Sequence, residues 1–322
     1  MSSTFASELR GLEADPTAFD ALDRPRLRRL LVATDGRAQS AAALRMADAL
    51  AQREGAEVRV IAVLPPAPYA PLYGVEVAMV PSETWERERA AAHRARMREH
   101  LLEVRGERDG SALGEVQLVI GAPSEAIGDV ARSWGADLVL MGIGRHGAAA
   151  RLVGETAVAV MRTARVPVLA TTADGALPTR AVVAMDFTRS SLRAAALAAA
   201  LLAPGGALAL AHVEPDYGLA GREYDGWRRV YGEGVRHAFE AVRARLALPD
   251  GTTLEALVAR GGGAAGVALG LAAERHAELI AVGQHGHDFV ERLIVGSVAT
   301  AIVRGARCPV LVAPPARRPE GR

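Results

Sequence analysis

Short apolar blocks recur along the chain, each closed by a polar residue, a glycine or a proline, and alanine-rich or charged stretches with helical patterning run between them. The blocks fall at residues 30–35, 58–63, 117–121, 137–142 and 166–170. The same series returns at 181–186, 207–213, 257–261, 278–283 and 308–312, so the chain is an internal duplication. The first block of each series ends in aspartate, Asp35 and Asp186, and the fourth in glycine, Gly142 and Gly283. Apolar blocks that alternate with helices predict parallel strands buried on both faces. The expected fold is therefore α/β: two tandem doubly wound, mainly parallel five-stranded sheets with helices on both faces. The polar segments 82–108 and 222–246 are expected as the second helix of each half, on the surface.

The repeats place the first domain at residues 29–172 and the second at 179–315, with a linker over 171–178 that contains Asp174 and Gly175. Residues 1–28 have no counterpart in the second half and read as an extension that is mobile or loosely docked. A length of 322 residues fits two domains. The net charge of +1 gives no field that would draw in DNA or an anionic membrane. The one cysteine, Cys308, excludes an intrachain disulfide, suits a reducing compartment and reads as a small core residue opening a strand. With no apolar leader and no long apolar run, the expectation is a soluble, cytoplasmic protein.

The segment Gly283-Gln284-His285-Gly286, followed after nine residues by Gly296-Ser297-Val298, carries the most chemistry. Glycines can turn with positive φ and let phosphate oxygens approach where a Cβ would stand. Successive N–H groups then form an anion-binding concavity. A helix opening at Gly296-Ser297 would aim its first N–H groups and its dipole at the same anion. Any one of these glycines alone would read as a turn or a cap.

In this spacing, and in the order of its strands, the chain resembles the universal stress protein family, over both halves from about residue 28 to residue 315. The resemblance implies an adenine nucleotide alpha hydrolase-like fold and ATP as ligand, with Mg²⁺ arriving on its phosphates. It places Asp186 near ribose or adenine, Val213 and Val282 against the base, and Gly261 where ligand or backbone approaches. Gly283, His285, Gly286, Gly296, Ser297 and Val298 would surround the phosphates. It also implies that the two halves pair through their last strands, and that chains associate further as a homo-oligomer. Asp186 reads equally as a turn residue, and the two valines equally as core.

The first half departs from the pattern. It reads Gly142-Ile143-Gly144-Arg145-His146-Gly147 and later Gly154-Glu155-Thr156, with one spacing wrong whichever glycines are paired. Glu155 stands where Ser297 stands in the second half, and a carboxylate aimed at phosphate repels it. Turned outward, Glu155 would instead complement the helix dipole, and Arg145 and Arg151 would offset its charge. Asp35, Val63 and Gly121 still match the family, and Gly142, Gly144 and Gly154 are the candidates of its irregular loop, so this half is expected to bind nucleotide weakly, to bind an altered ligand, or to bind none.

Gly142 to Gly147 also spells a dinucleotide fingerprint, but it follows the fourth strand and lacks the acidic strand end that ribose recognition needs. His285, His287 and Asp288 have no second ligand cluster, so no metal site is expected. Ser190 and Ser191 read as helix caps. The arginines between residues 87 and 98 read as a solvated helix face, not a nucleic-acid surface. Three functions remain: an ATP-binding regulatory module, a slow ATPase or phosphotransferase with Asp186 and His285 as its candidate groups, and a nonbinding dimerisation scaffold. The sequence has no P-loop lysine and no pair of metal carboxylates.

Overall fold

The computed structural model describes residues 16–66, 82–106, 110–143, 155–172, 175–214, 221–284 and 296–315. The chain forms two compact units, residues 27–176 and residues 177–322 together with 1–26.

In the first unit the elements run β1 (Arg29–Thr34), α1 (Ala38–Glu54), β2 (Glu57–Leu64), α2 (Glu83–Arg105), β3 (Val116–Ile120), α3 (Pro123–Trp134), β4 (Leu138–Gly142), α4 (Glu155–Thr163) and β5 (Val168–Thr171). Its strands lie in the order β3-β2-β1-β4-β5, all parallel. The second unit repeats the series as β6 (Arg180–Ala184), α5 (Arg189–Leu201), β7 (Ala207–Glu214), α6 (Gly221–Arg245), β8 (Thr253–Arg260), α7 (Ala264–Glu274), β9 (Leu279–Gly283), α8 (Ser297–Gly305) and β10 (Val310–Ala313). Its order, β8-β7-β6-β9-β10, is again all parallel.

The central strands are apolar throughout because helices cover both faces. Leu30, Leu31, Val32, Leu138, Val139 and Leu140 are fully buried in the first unit, and Val183 and Ala281 in the second. Burying a leucine or valine side chain is worth about 1.5–3 kcal/mol, so these strands anchor each sheet. The outer strands β3 and β8 alternate instead, and Ile120 and Val258 face solvent. An acidic residue clamps the start of each first strand. Asp137 accepts from the Arg28 and Arg29 amides at 2.8 and 2.9 Å. Glu278 accepts from the Thr179 amide at 2.7 Å and its hydroxyl at 2.9 Å, and pairs with Arg180.

The structure refines several sequence expectations. Thr188 caps α5, its hydroxyl accepting from the Ser191 amide at 3.4 Å, while Ser190 and Ser191 are buried in the first turn. Cys308 is only half-buried and precedes β10. Thr171 belongs to β5 and is buried, and Gly175 packs on α1, where an added Cβ would lie 2.6 Å from the Ala42 carbonyl oxygen. Of the extension, Pro16–Leu22 is a 3-10 helix docked on α5 and α6. Leu22 is buried there, and the Arg245 guanidinium lies 5.4 Å from the centre of the Phe19 ring.

Candidate functional site

In each sheet the chain leaves the first strand toward one side and later crosses back to the other side. The crevice where the order reverses lies at the carboxyl ends of β1 and β4, and of β6 and β9. Doubly wound sheets bind their ligands at such a switch point. Each unit has a cavity there.

The second unit's cavity has a volume of about 260 Å³. Ala184, Met185 and Asp186 form one wall, Ala211, His212 and Val213 the next, and Val282, Gly283 and Gln284 a third. Gly296, Ser297, Val298 and Ala299 close it with the opening of α8. Asp186, Val213, Val282, Gly283, Gly296, Ser297 and Val298, all singled out in the sequence, therefore meet around one space. Gly261 does not line it, although Ala264, three residues on, does. His285 and Gly286 lie outside the described residues.

Local chemistry explains the placement. The Asp186 Oδ1 accepts from the Thr188 amide at 3.0 Å and the Thr188 hydroxyl at 2.6 Å, so one carboxylate oxygen shapes the turn into α5. Asp186 is thus both the turn residue and a lining residue. Gly283 is a glycine because α5 starts against it: an added Cβ would lie 2.8 Å from both the Ser190 Cβ and the Ser191 amide nitrogen. Neither Gly283 nor Gly296 adopts a positive φ, so of the two reasons expected from the sequence the turn with positive φ does not apply to them. The Gly296 amide donates to the Gln284 carbonyl at 2.8 Å, which brings the two ends of segment 285–295 together. The first bond of the α8 ladder is Thr300 N–H to Gly296 O, at 2.9 Å. The amides of Ser297, Val298 and Ala299 thus precede the ladder at a wall of the cavity.

Met185, His212 and Gln284 are among the lining residues with no role assigned from the sequence. His212 had a signal, since it is a polar residue inside the apolar run of β7. It is buried, with Nδ1 2.8 Å from the Met185 carbonyl oxygen and Nε2 2.7 Å from the Tyr231 hydroxyl. The Phe187 ring lies beside it, tilted by 46°, with ring centres 5.2 Å apart.

The first unit's cavity measures about 310 Å³. Thr34, Asp35 and Arg37 line it with Val63, Pro123, Gly142 and Ile143, and Glu155 and Thr156 stand at the opening of α4. Asp35 forms the same turn as Asp186, its Oδ1 accepting from the Arg37 amide at 3.1 Å. Gly142 plays the part of Gly283, with an added Cβ only 2.4 Å from the Gln39 carbonyl carbon. Gly121 does not line the cavity. Gly144, Arg145, Gly147, Arg151 and Gly154 lie outside the described residues. Glu155 is exposed and borders the cavity as well.

These features define a class: tandem doubly wound α/β domains, each with a switch-point cleft facing a helix N-terminus. The family model for the universal stress protein family matches twice, over residues 26–172 and 178–314. The chain belongs to the universal stress protein family, as a tandem two-domain member. Among solved structures it is similar to a universal stress protein from Archaeoglobus fulgidus DSM 4304, with 18% identity and a TM-score of 0.59 over 90% of this chain and 97% of that one. It is also similar to a functionally unknown protein from Pseudomonas aeruginosa PAO1, with 15% identity and a TM-score of 0.56 over 92% of this chain and 95% of that one. At these identities the likeness is one of fold. Comparison with curated proteins gave no match. No helix among the described residues is long and apolar enough to cross a membrane.

Proposed function

We propose that the protein is a cytoplasmic ATP-binding module of stress response or regulation, with the nucleotide held by the second domain. The observation that carries this reading is the convergence of Asp186, Val213, Val282 and the start of α8 on one cavity at the switch point of the sheet. The residues fit an adenine nucleotide. Val213 and Val282 offer apolar walls to a base, the Asp186 carboxylate can accept from ribose hydroxyls, and the amides of Ser297, Val298 and Ala299 can donate to phosphate. The space of about 260 Å³ is near the lower end of small-ligand sites, which run from about 300 to 1,000 Å³. Base and ribose would fill it, and the phosphates would run outward along the helix N-terminus. Mg²⁺, when bound, would rest on phosphate oxygens and water rather than on a protein cage. No cluster of three candidate metal ligands occurs among the described residues. We assign no catalytic step; occupancy would act by changing assembly or partner choice, with a second copy of this chain as the first candidate partner.

Nucleotide extraction from the purified chain, followed by calorimetry of the stripped protein with ATP, tests this. The expected result is one ATP per chain. Two per chain would show that the first domain binds as well, despite Glu155. None, on folded protein, would leave the dimerisation scaffold as the function.

A further inference from the structure

The two sheets differ by one step of hydrogen bonding beside their cavities. In the first domain the β1–β2 ladder runs through the pair Thr34 and Ala62. The equivalent pair in the second domain is Met185 and His212, and there the β6–β7 ladder stops one step earlier, at Ala184 and Ala211. The cause is visible. A carbonyl oxygen can only accept, so His212 Nδ1 carries the proton and donates it to the Met185 carbonyl at 2.8 Å. Nε2 is then the acceptor, and the Tyr231 hydroxyl on α6 donates to it at 2.7 Å, fixing this tautomer. The imidazole is held further by Phe187, which is buried in a left-handed conformation with φ +61°. A bulky residue in that conformation is strained and persists only where its surroundings enforce it.

The Met185 amide donates to the Ala211 carbonyl at 2.8 Å, so the Ala211 peptide groups face β6. Groups two residues along a strand face the same side. Val213 therefore turns its N–H and C=O toward the end of β6, where the cavity lies. Had the ladder continued, the Val213 N–H would have been spent on the Met185 carbonyl.

Resting on the nucleotide reading above, we infer that His212 is a positioning residue for base recognition. By taking the Met185 carbonyl out of the ladder, it leaves the Val213 peptide as an adjacent donor and acceptor for a nucleobase edge that carries an acceptor beside an amino group. Tyr231 acts behind it by holding the tautomer. The first domain, with Ala62 at the equivalent place, lacks the device.

The test compares two near-isosteric variants. In His212→Asn the amide nitrogen replaces Nδ1, whereas in His212→Gln it replaces Nε2, so only the first keeps the donor to Met185. Adenosine affinity by calorimetry is expected to fall about tenfold in His212→Gln and to stay within about twofold of wild type in His212→Asn. Tyr231→Phe is expected to lie between them, and binding of inorganic triphosphate should be unchanged in all three. In the ligand-free protein the Val213 amide should exchange with solvent faster than that of Ala211, and should become protected in His212→Gln. Equal adenosine affinity in the Asn and Gln variants, or a Val213 amide already protected in ligand-free wild type, would overturn the inference alone. Failure of wild type to bind either adenosine or triphosphate would overturn the nucleotide reading and this inference with it.

Discussion

The first domain's cavity and the second's are built from the same strand order, the same aspartate turn and the same glycine packed against a helix start, yet they differ at three corners. Ser297 opens the helix at one and Glu155 at the other. His212 interrupts a ladder that Ala62 leaves whole. Phe187 fills a space beside the second cavity, while at the matching position Gly36 leaves room for Met97, whose Cε lies 2.3 Å from where a Cβ would stand. The lesson is a division of labour. Apolar blocks and close backbone approaches fix where a cleft forms, and a few residues on its rim decide its chemistry.

The comparison breaks most decisively at the helix openings. Ser297→Glu should weaken ATP binding about a hundredfold, since like charges in close contact cost several kcal/mol. Glu155→Ser should raise the calorimetric stoichiometry from one ATP per chain to two. If both variants bind as wild type does, the helix openings do not set the difference between the domains.

The glycines should give a middling effect, and one that ranks the domains. An added Cβ at Gly142 would meet the Gln39 carbonyl carbon and oxygen and the Ser40 nitrogen at 2.4, 2.5 and 2.6 Å, all backbone atoms. At Gly283 the nearest contacts are 2.8, 2.8 and 3.0 Å. Overpacking of this kind costs about 1–3 kcal/mol, so Gly142→Ala should fall near the top of that range and Gly283→Ala below it, read as shifts of the urea midpoint. The reverse order would mean that the close approach is not what requires glycine.

The smallest effect belongs to the strand clamp. Burial pushes the Glu278 carboxyl up, but hydrogen bonds from the Thr179 amide and hydroxyl and the charge of Arg180 outweigh it and hold the group below the usual glutamate value of 4.5. A lowered folded value stabilises above the unfolded pKa, and the contribution is lost as pH falls through the folded one. Glu278→Gln should therefore cost at most about 1 kcal/mol at neutral pH, because the carboxylate is partly exposed. The difference from wild type should vanish in strong acid. A difference that grows on acidification would contradict the clamp.

The strands were legible because a parallel strand covered on both faces must be apolar along its length, a signal that short windows carry well. Much of the second cavity was legible as well, since Asp186, Val282, Gly296 and Ser297 sit at strand ends and a helix start that the repeat aligns. The physical reason for Gly283 was not, because it depends on how closely α5 approaches, a distance that no spacing along the chain encodes. His212 was visible as a polar interruption, but its partners Met185 and Tyr231 are 27 and 19 residues away and meet it only once β6 and α6 are in place. Gly261 was assigned by its match to the family pattern, and it stands outside the wall.

The docked 3-10 helix has a consequence for synthesis. Pro16–Leu22 belongs to the compact unit that contains α5 and α6, whereas the chain between them builds a separate unit. On the ribosome Leu22 emerges first, and more than half of the chain must follow before α5 and α6 exist to receive it. At about 5–20 residues per second the delay is on the order of ten seconds. The second domain therefore completes its core with a piece made before the first domain was begun, and it closes only after that domain has been made.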